Sequence, residues 1–246
     1  MQTRRPVLAL AVSLLLVAGA CASSSDTMPP ETGNQQAEPT EKSLDGAASV
    51  TKIKASDGWL VNVSFGDSPS AQISFNEGDQ DDFDAEISGD TLTLSAKSGT
   101  DISIALTATV TVKTLDEVTL TNGAKVTTAG TLDGDTFTAT LDASGLYVAD
   151  AELSSAKLTL NNVSTAVFTK GSIDTLTADV TNTSDLNTSG ATSKTITLTA
   201  SDSATAELGD SDTLNVTASD SSKVTYSGSP TITKTLDDNS TLTKSD

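Results

Sequence analysis

From about residue 48 to its C-terminus the chain alternates apolar and polar residues in short runs and shows no helical period. Trp59-Leu60-Val61-Asn62-Val63-Ser64-Phe65, Gln72-Ile73-Ser74-Phe75, Thr91-Leu92-Thr93-Leu94 and Ile102-Ser103-Ile104 are examples, separated by Gly, Asn, Asp and Ser. A period of two carried by β-branched residues predicts strands with one buried face. The predicted class is all-β.

The runs also recur at a near-constant interval. Ile196-Thr197-Leu198-Thr199-Ala200-Ser201-Asp202-Ser203 returns 18 residues later as Leu214-Asn215-Val216-Thr217-Ala218-Ser219-Asp220-Ser221. Taking the second inward residue of each unit gives Leu120, Leu141, Leu160, Val180, Leu198, Val216 and Lys234, in steps of 21, 19, 20, 18, 18 and 18. Turn clusters follow each apolar pair: Thr121-Asn122-Gly123, Asp142-Ala143-Ser144-Gly145, Asn161-Asn162, Asn182-Thr183-Ser184, Ser201-Asp202-Ser203, Ser219-Asp220-Ser221 and Asp237-Asp238-Asn239. Such residues tolerate left-handed backbone or bond their own main chain. Gly171, Gly190, Gly209 and Gly228, 19 apart, mark a second corner.

Units this small bury a core only when stacked. A sandwich of hairpins would also give short strands, but repetition of both inward and turn residues favours a parallel β-helix (solenoid) with coils of about 18–21 residues. Its last unit places Lys234 where Val216 stood and Lys244 where Tyr226 stood, as a polar end to an open edge requires.

The first residues read differently. Arg4 and Arg5 precede an apolar run from Val7 to Val17, a secretory signal too short to span a bilayer. It ends in Ala18-Gly19-Ala20-Cys21, which resembles the lipobox of bacterial lipoproteins, where small residues precede a Cys that is diacylated and becomes the new N-terminus. An ordinary signal peptide with an incidental Cys is the other reading. Cys21 is the only Cys and has no disulfide partner, which favours lipidation. More than one acyl chain on that residue would suffice for stable membrane anchoring. Residues 22–48, rich in Ser, Pro, Glu, Gln, Gly and Ala, are expected to be a disordered tether.

Composition narrows the chemistry. The 246 residues include 14 Lys+Arg, 33 Asp+Glu, no His and 3% aromatics, for a net charge of −19; 41 are Thr and 33 Ser. Without His, the Ser-His-Asp hydrolases and His-based zinc sites are excluded. Removal of residues 1–20 takes away both Arg and leaves 12 Lys against 33 acids, a charge of −21 that repels phosphate backbones, so no nucleic-acid partner is expected.

At Val224-Thr225-Tyr226-Ser227-Gly228-Ser229-Pro230-Thr231-Ile232 the chain resembles the closing Y-x-G-x-P signature of the head-GIN-domain family, the "putative autotransporter adhesin" lipoproteins of bacterial cell envelopes. Thr121-Asn122-Gly123-Ala124-Lys125-Val126 is similar to its recurrent S-G-A-x-V turn, and Trp59 to Gly66, Thr91 to Leu94, Ala108 to Val112 and Leu115 to Val118 look like its N-terminal strands. The resemblance implies a right-handed β-helix with a less regular N-terminal half and no established catalytic residues. The expected organisation is a signal over 1–20, a tether over 22–48, an N-terminal β portion over 49–114 and a repetitive β-helix over 115–246, with 49–246 forming one domain.

Site chemistry is sparse. Glu77-Gly78-Asp79-Gln80-Asp81-Asp82-Phe83-Asp84 reads as a solvated hairpin tip or a Ca2+ loop, though it meets neither the EF-hand nor the β-roll pattern. Asp210-Ser211-Asp212 and Asp237-Asp238 are read alike. Trp59 and the Phe residues sit on alternating strands and are expected in the core, and Tyr226 in an inward column. No nucleophile–base pair is visible, so no enzyme, catalytic residue, metal or cofactor is expected. The expected function is a lipid-anchored, extracytoplasmic structural or interaction module, adhesin-like, held to the membrane through Cys21 and meeting a protein or glycan of the envelope. The alternative is a carbohydrate-binding or Ca2+-dependent binding protein.

Overall fold

The computed structural model describes residues 39–75, 81–97 and 106–245, which belong to one compact unit. The expected signal, Cys21 and the first part of the expected tether lie outside the described residues, as do Ile102-Ser103-Ile104 and Glu77 to Gln80. The fold is all-β, with 67% of the described residues in strands and 2% in helix, and builds a β-solenoid of about six turns of roughly 20 residues.

The N-terminal part contributes β1 (Thr40–Ser43), β2 (Lys52–Ala55), β3 (Leu60–Phe65), β4 (Ser70–Phe75), β5 (Phe83–Ser88), β6 (Thr91–Ala96) and β7 (Thr107–Val112). The repetitive part follows as β8 (Glu117–Thr121), β9 (Lys125–Ala129), β10 (Thr131–Asp142), β11 (Gly145–Val148), β12 (Asp150–Asn161), β13 (Thr165–Phe168) and β14 (Gly171–Val180). It ends with β15 (Asp185–Thr188), β16 (Ala191–Ala200), β17 (Thr205–Leu208), β18 (Ser211–Ala218), β19 (Lys223–Tyr226), β20 (Thr231–Leu236) and β21 (Thr241–Lys244).

Two sheets result. The even sheet has the order β20-β18-β16-β14-β12-β10-β8-β2-β6-β5, and the odd sheet β1-β4-β7-β3-β9-β11-β13-β15-β17-β19-β21. Every pairing from β8 onward is parallel, so successive coils stack; six rises of about 4.8 Å make the repetitive part roughly 30 Å long. The N-terminal portion is less regular because chain order and stacking order differ there. The coil formed by β2 and β3 is inserted between β6/β7 and β8/β9. The antiparallel pairs β5–β6, β4–β7 and β1–β4 close that end.

One hydrophobic core runs between the sheets. Leu120, Leu141, Leu160 and Val180 do stack as one inward column, but it continues through Ala200, Ala218 and Leu236. Leu198 instead continues the column of Val118, Ala139, Leu158 and Ala178, and leads to Val216 and Lys234. The expected 18-residue step from Val180 to Leu198 is therefore a step of 20, to Ala200. The reason is physical: a two-residue slip leaves every side chain on the same face, so alternation cannot detect it. Gly171 pairs with Ala151 and Ala191, so the 19-residue spacing of the glycines marks corners without making them partners across the ladder.

The turn clusters keep the true register. Asn162/Val163, Asn182/Thr183, Asp202/Ser203, Asp220/Ser221 and Asp238/Asn239 are pairs of left-handed residues. That conformation directs the second residue's N–H along the stack, so Val163 donates to the Asn182 carbonyl, Thr183 to Asp202, Ser203 to Asp220 and Ser221 to Asp238, at 2.8–3.0 Å. Just inside, Ser164 Oγ accepts from the Ser144 N–H at 3.3 Å and Ser184 Oγ from the Ser164 N–H at 3.1 Å, which satisfies buried amides.

Val163 is the costly member of this series. It is β-branched, 71% exposed and held at φ 63, a conformation that β-branched residues rarely adopt. Val163→Asn is expected to raise the unfolding free energy by about 1 kcal/mol in urea melts; an unchanged midpoint would argue against strain there.

One boundary also differs from the expectation. Thr40–Ser43, inside the stretch expected as a tether, forms β1 and pairs with Gln72 to Phe75 on β4. It needs no apolar side chains for this, because an edge strand joins through its backbone. The portions over 49–114 and 115–246 share one core, with β2/β3 packed directly on β8/β9. The polar end is as expected: Val216 aligns with Lys234 and Tyr226 with Lys244.

Candidate functional site

The long even-sheet strands contain a bend. Pairing passes from Gly134↔Leu153↔Ile173 to Thr136↔Ser155↔Thr175, while Asp135, Ser154 and Asp174 are skipped. On the outside of this bend lies an open groove of about 1000 Å³, lined by Lys52, Asp116, Glu117, Asp133, Asp135, Glu152 and Asp174 among others.

Several of these charges are partnered locally. Lys52 Nζ lies 3.0 Å from Asp90, Asp174 is 2.7 Å from Lys194, and Glu152 accepts from Ser172 Oγ at 2.7 Å. Asp116, Asp133 and Asp135 make no ion pair among the described residues. A concave surface rich in acids raises the local concentration of cations. Among the described residues, however, no group of three or more carboxylates is arranged to hold a metal ion.

Among the described residues, three carboxyls are held below their ordinary value. For Asp90 and Asp150 the first cause is the hydrogen bond from Lys52 and Lys170 respectively, and each Lys is raised in turn, first by that bond and then by the carboxylate charge. Asp57 has a different cause: the Ser56 hydroxyl at 2.6 Å lowers it most, the Asn122 amide at 3.2 Å and the Ala96 N–H at 3.3 Å add to this, and partial burial opposes them. Asp57 thus ties the β2–β3 turn to β6 and to the Asn122 corner.

A carboxyl depressed in the folded state stabilises the fold above its unfolded pKa, here near 3.8, and that stability is lost as pH falls through the lower folded value. The raised Lys residues act in the opposite window: their contribution is present below about 10.5 and disappears as pH rises through the higher folded value. Both Lys pairs are solvent-exposed, so their share is small. Asp57→Asn is expected to cost about 1–2 kcal/mol at neutral pH and to flatten the loss of thermal stability below pH 4. An acid limb as steep as that of the parent would remove Asp57 from this role.

The residues singled out in the sequence fall in separate places. Of the acidic run, Asp81 and Asp82 are exposed at a turn, Phe83 is buried, and Asp84 on β5 lies 3.8 Å from Lys97. Asp210 accepts from Ser227 Oγ and, with Asp212, borders a second shallow groove of about 330 Å³ near Gly228. Asp237 and Asp238 occupy a corner of the last coil. Trp59 is fully buried and meets Phe83 edge-on at 5.6 Å, and Tyr226 follows Leu208 in an inward column. The bend groove draws on none of them. Its signal was weak: acids at intervals of 19 and 22 residues, Asp133, Glu152 and Asp174, inside strands otherwise rich in Thr.

A family model described as "Putative auto-transporter adhesin, head GIN domain" matches residues 49–230. No curated protein matches the chain. Among solved structures, a putative adhesin from Bacteroides fragilis is similar with a TM-score of 0.72 at 14% identity, covering 84% of this chain and 96% of its own. A putative adhesin from Parabacteroides distasonis gives 0.70 at 14% identity over 85% and 98%. A protein from the same species described as a putative lipid binding protein gives 0.65 at 12% identity over 86% and 98%. At these identities the likeness is one of fold.

Proposed function

Because the chain belongs to the head GIN domain family, described as putative auto-transporter adhesins, we propose that it is a lipid-anchored, extracytoplasmic interaction module that works by contact and not by catalysis. The observation that carries this reading is the N-terminal sequence: two Arg, an apolar run, and Ala18-Gly19-Ala20 before the only Cys of the chain. A thioether-linked lipid plus an N-acyl chain at Cys21 would hold the domain at a membrane surface. The solenoid supports the contact role. Most of its large apolar residues are closed into one core, and most of its charged and Thr side chains stand in outward columns on a rigid frame. The partner is a protein or glycan of the envelope.

Labelling of growing cells with radioactive palmitate, followed by membrane fractionation, tests the anchor. The parent is expected in the membrane fraction with label, and Cys21→Ala in the soluble extracytoplasmic fraction without it. Unlabelled parent, or a variant that fractionates unchanged, would sink the proposal.

A further inference from the structure

The two sheets differ in what they show to solvent. Three outward columns cross the even sheet to β20, one starting on β10 and two on β8. Thr fills five of six positions between Thr136 and Thr231, four of seven between Glu117 and Thr233, and six of seven between Thr119 and Thr235. That is fifteen of twenty. The two outward columns of the odd sheet, from Lys125 to Thr241 and from Thr127 to Thr243, hold Thr at six of fourteen. Thr is a good strand former, but that preference acts on both sheets equally and does not explain the difference.

The hydroxyls of the even face are also left to solvent. Of its fifteen Thr, only Thr119 has a side-chain contact of hydrogen-bond type within the protein, a 3.5 Å approach to Glu117. The twenty positions include three charges, Glu117, Lys157 and Asp179, in a chain of net charge −19. An ionic partner would require a charged face, so the charge pattern fits an uncharged one. No aromatic side chain stands in these columns, so a sugar ring would find nothing to stack on.

What remains is a rigid array of hydroxyls and methyls spaced about 4.8 Å along each column and about 6.6 Å, two residues, between columns. Both repeats lie close to those of the prism face of hexagonal ice. Water bridging such an array is held nearly as well as a direct hydrogen bond would hold it, and the positions are fixed before binding. We propose that the threonine face of the even sheet binds ice. The proposal stands whether or not Cys21 carries a lipid.

The test is to grow an ice hemisphere slowly in a solution of the full-length protein in detergent and compare the protein in the ice with that left in the liquid. The parent is expected to be enriched in the ice. The Thr197→Tyr/Thr199→Tyr double variant, both positions exposed at the centre of the face, is expected to be excluded, and exposed Thr127→Tyr on the odd sheet to behave as the parent. Melting curves confirm that each variant is folded. Exclusion of the parent to the level of an unrelated acidic protein would overturn the proposal, as would equal loss in the Thr127 control. Binding of a neutral polysaccharide that the double variant abolishes, without ice enrichment of the parent, would overturn it in favour of a glycan.

Discussion

Gly190→Ala is expected to lower the unfolding free energy by about 3 kcal/mol or more, because there is no room for a single methyl at that corner. A Cβ on Gly190 would lie 1.8 Å from the carbonyl oxygen and 2.6 Å from the carbonyl carbon of Thr169, in the coil beneath. Those are backbone atoms, and the Thr169 N–H is itself fixed by the Val148 carbonyl at 2.9 Å. The coils cannot part locally without breaking their ladder. Gly134 provides the control: nothing lies within 4 Å of the point where its methyl would stand, so Gly134→Ala should fall within about 0.5 kcal/mol of the parent. Urea unfolding followed by circular dichroism measures both. In a stacked repeat each coil contacts only its neighbours, so hydrogen exchange should place the Gly190 effect in β13 to β16 and leave β8 to β10 protected.

Phe137→Ala is the second large effect, expected at about 3–5 kcal/mol. Phe137 is fully buried and heads the inward column that continues through Ala156, Leu176, Ile196, Leu214 and Ile232. Its neighbour Ala156 is small and cannot fill the space left behind. Ile232 ends the same column on the edge strand β20 and is 36% exposed, so Ile232→Ala should cost about 1 kcal/mol or less. Similar costs at both ends would mean that the last coil is covered by something outside the chain, which the polar substitutions Lys234 and Lys244 argue against.

How much of this was legible beforehand depended on which residues carried the signal. The all-β class, the parallel coils and the polar end followed from alternation and from recurring Asn, Asp and Ser corners. Those corners, Asn162, Asn182, Asp202, Asp220 and Asp238, also carry the correct register, since each must adopt a left-handed conformation at one place in the coil. The apolar column did not, because Val180 aligns with Ala200 just as acceptably as with Leu198 when only hydrophobicity is read. The insertion of β2/β3 into the stack was hidden for another reason: nothing in a local pattern tells that chain order and stacking order differ. The bend groove depends on side chains separated by 19 to 22 residues that meet only after stacking. The threonine face was visible as composition, but its restriction to one sheet needed the register.

Every outward column, and so every surface assigned to a contact role, rests on that register. Cross-linking tests it most directly. In a Cys21→Ser background, Asp179→Cys/Thr199→Cys pairs two residues that lie side by side on adjacent parallel strands, at a separation of about 5 Å that suits a disulfide. Asp179→Cys/Thr197→Cys differs by two residues and lies beyond the reach of about 7 Å. The account predicts rapid, near-complete oxidation of the first pair and none of the second. Cross-linking of the second pair in preference to the first would contradict it.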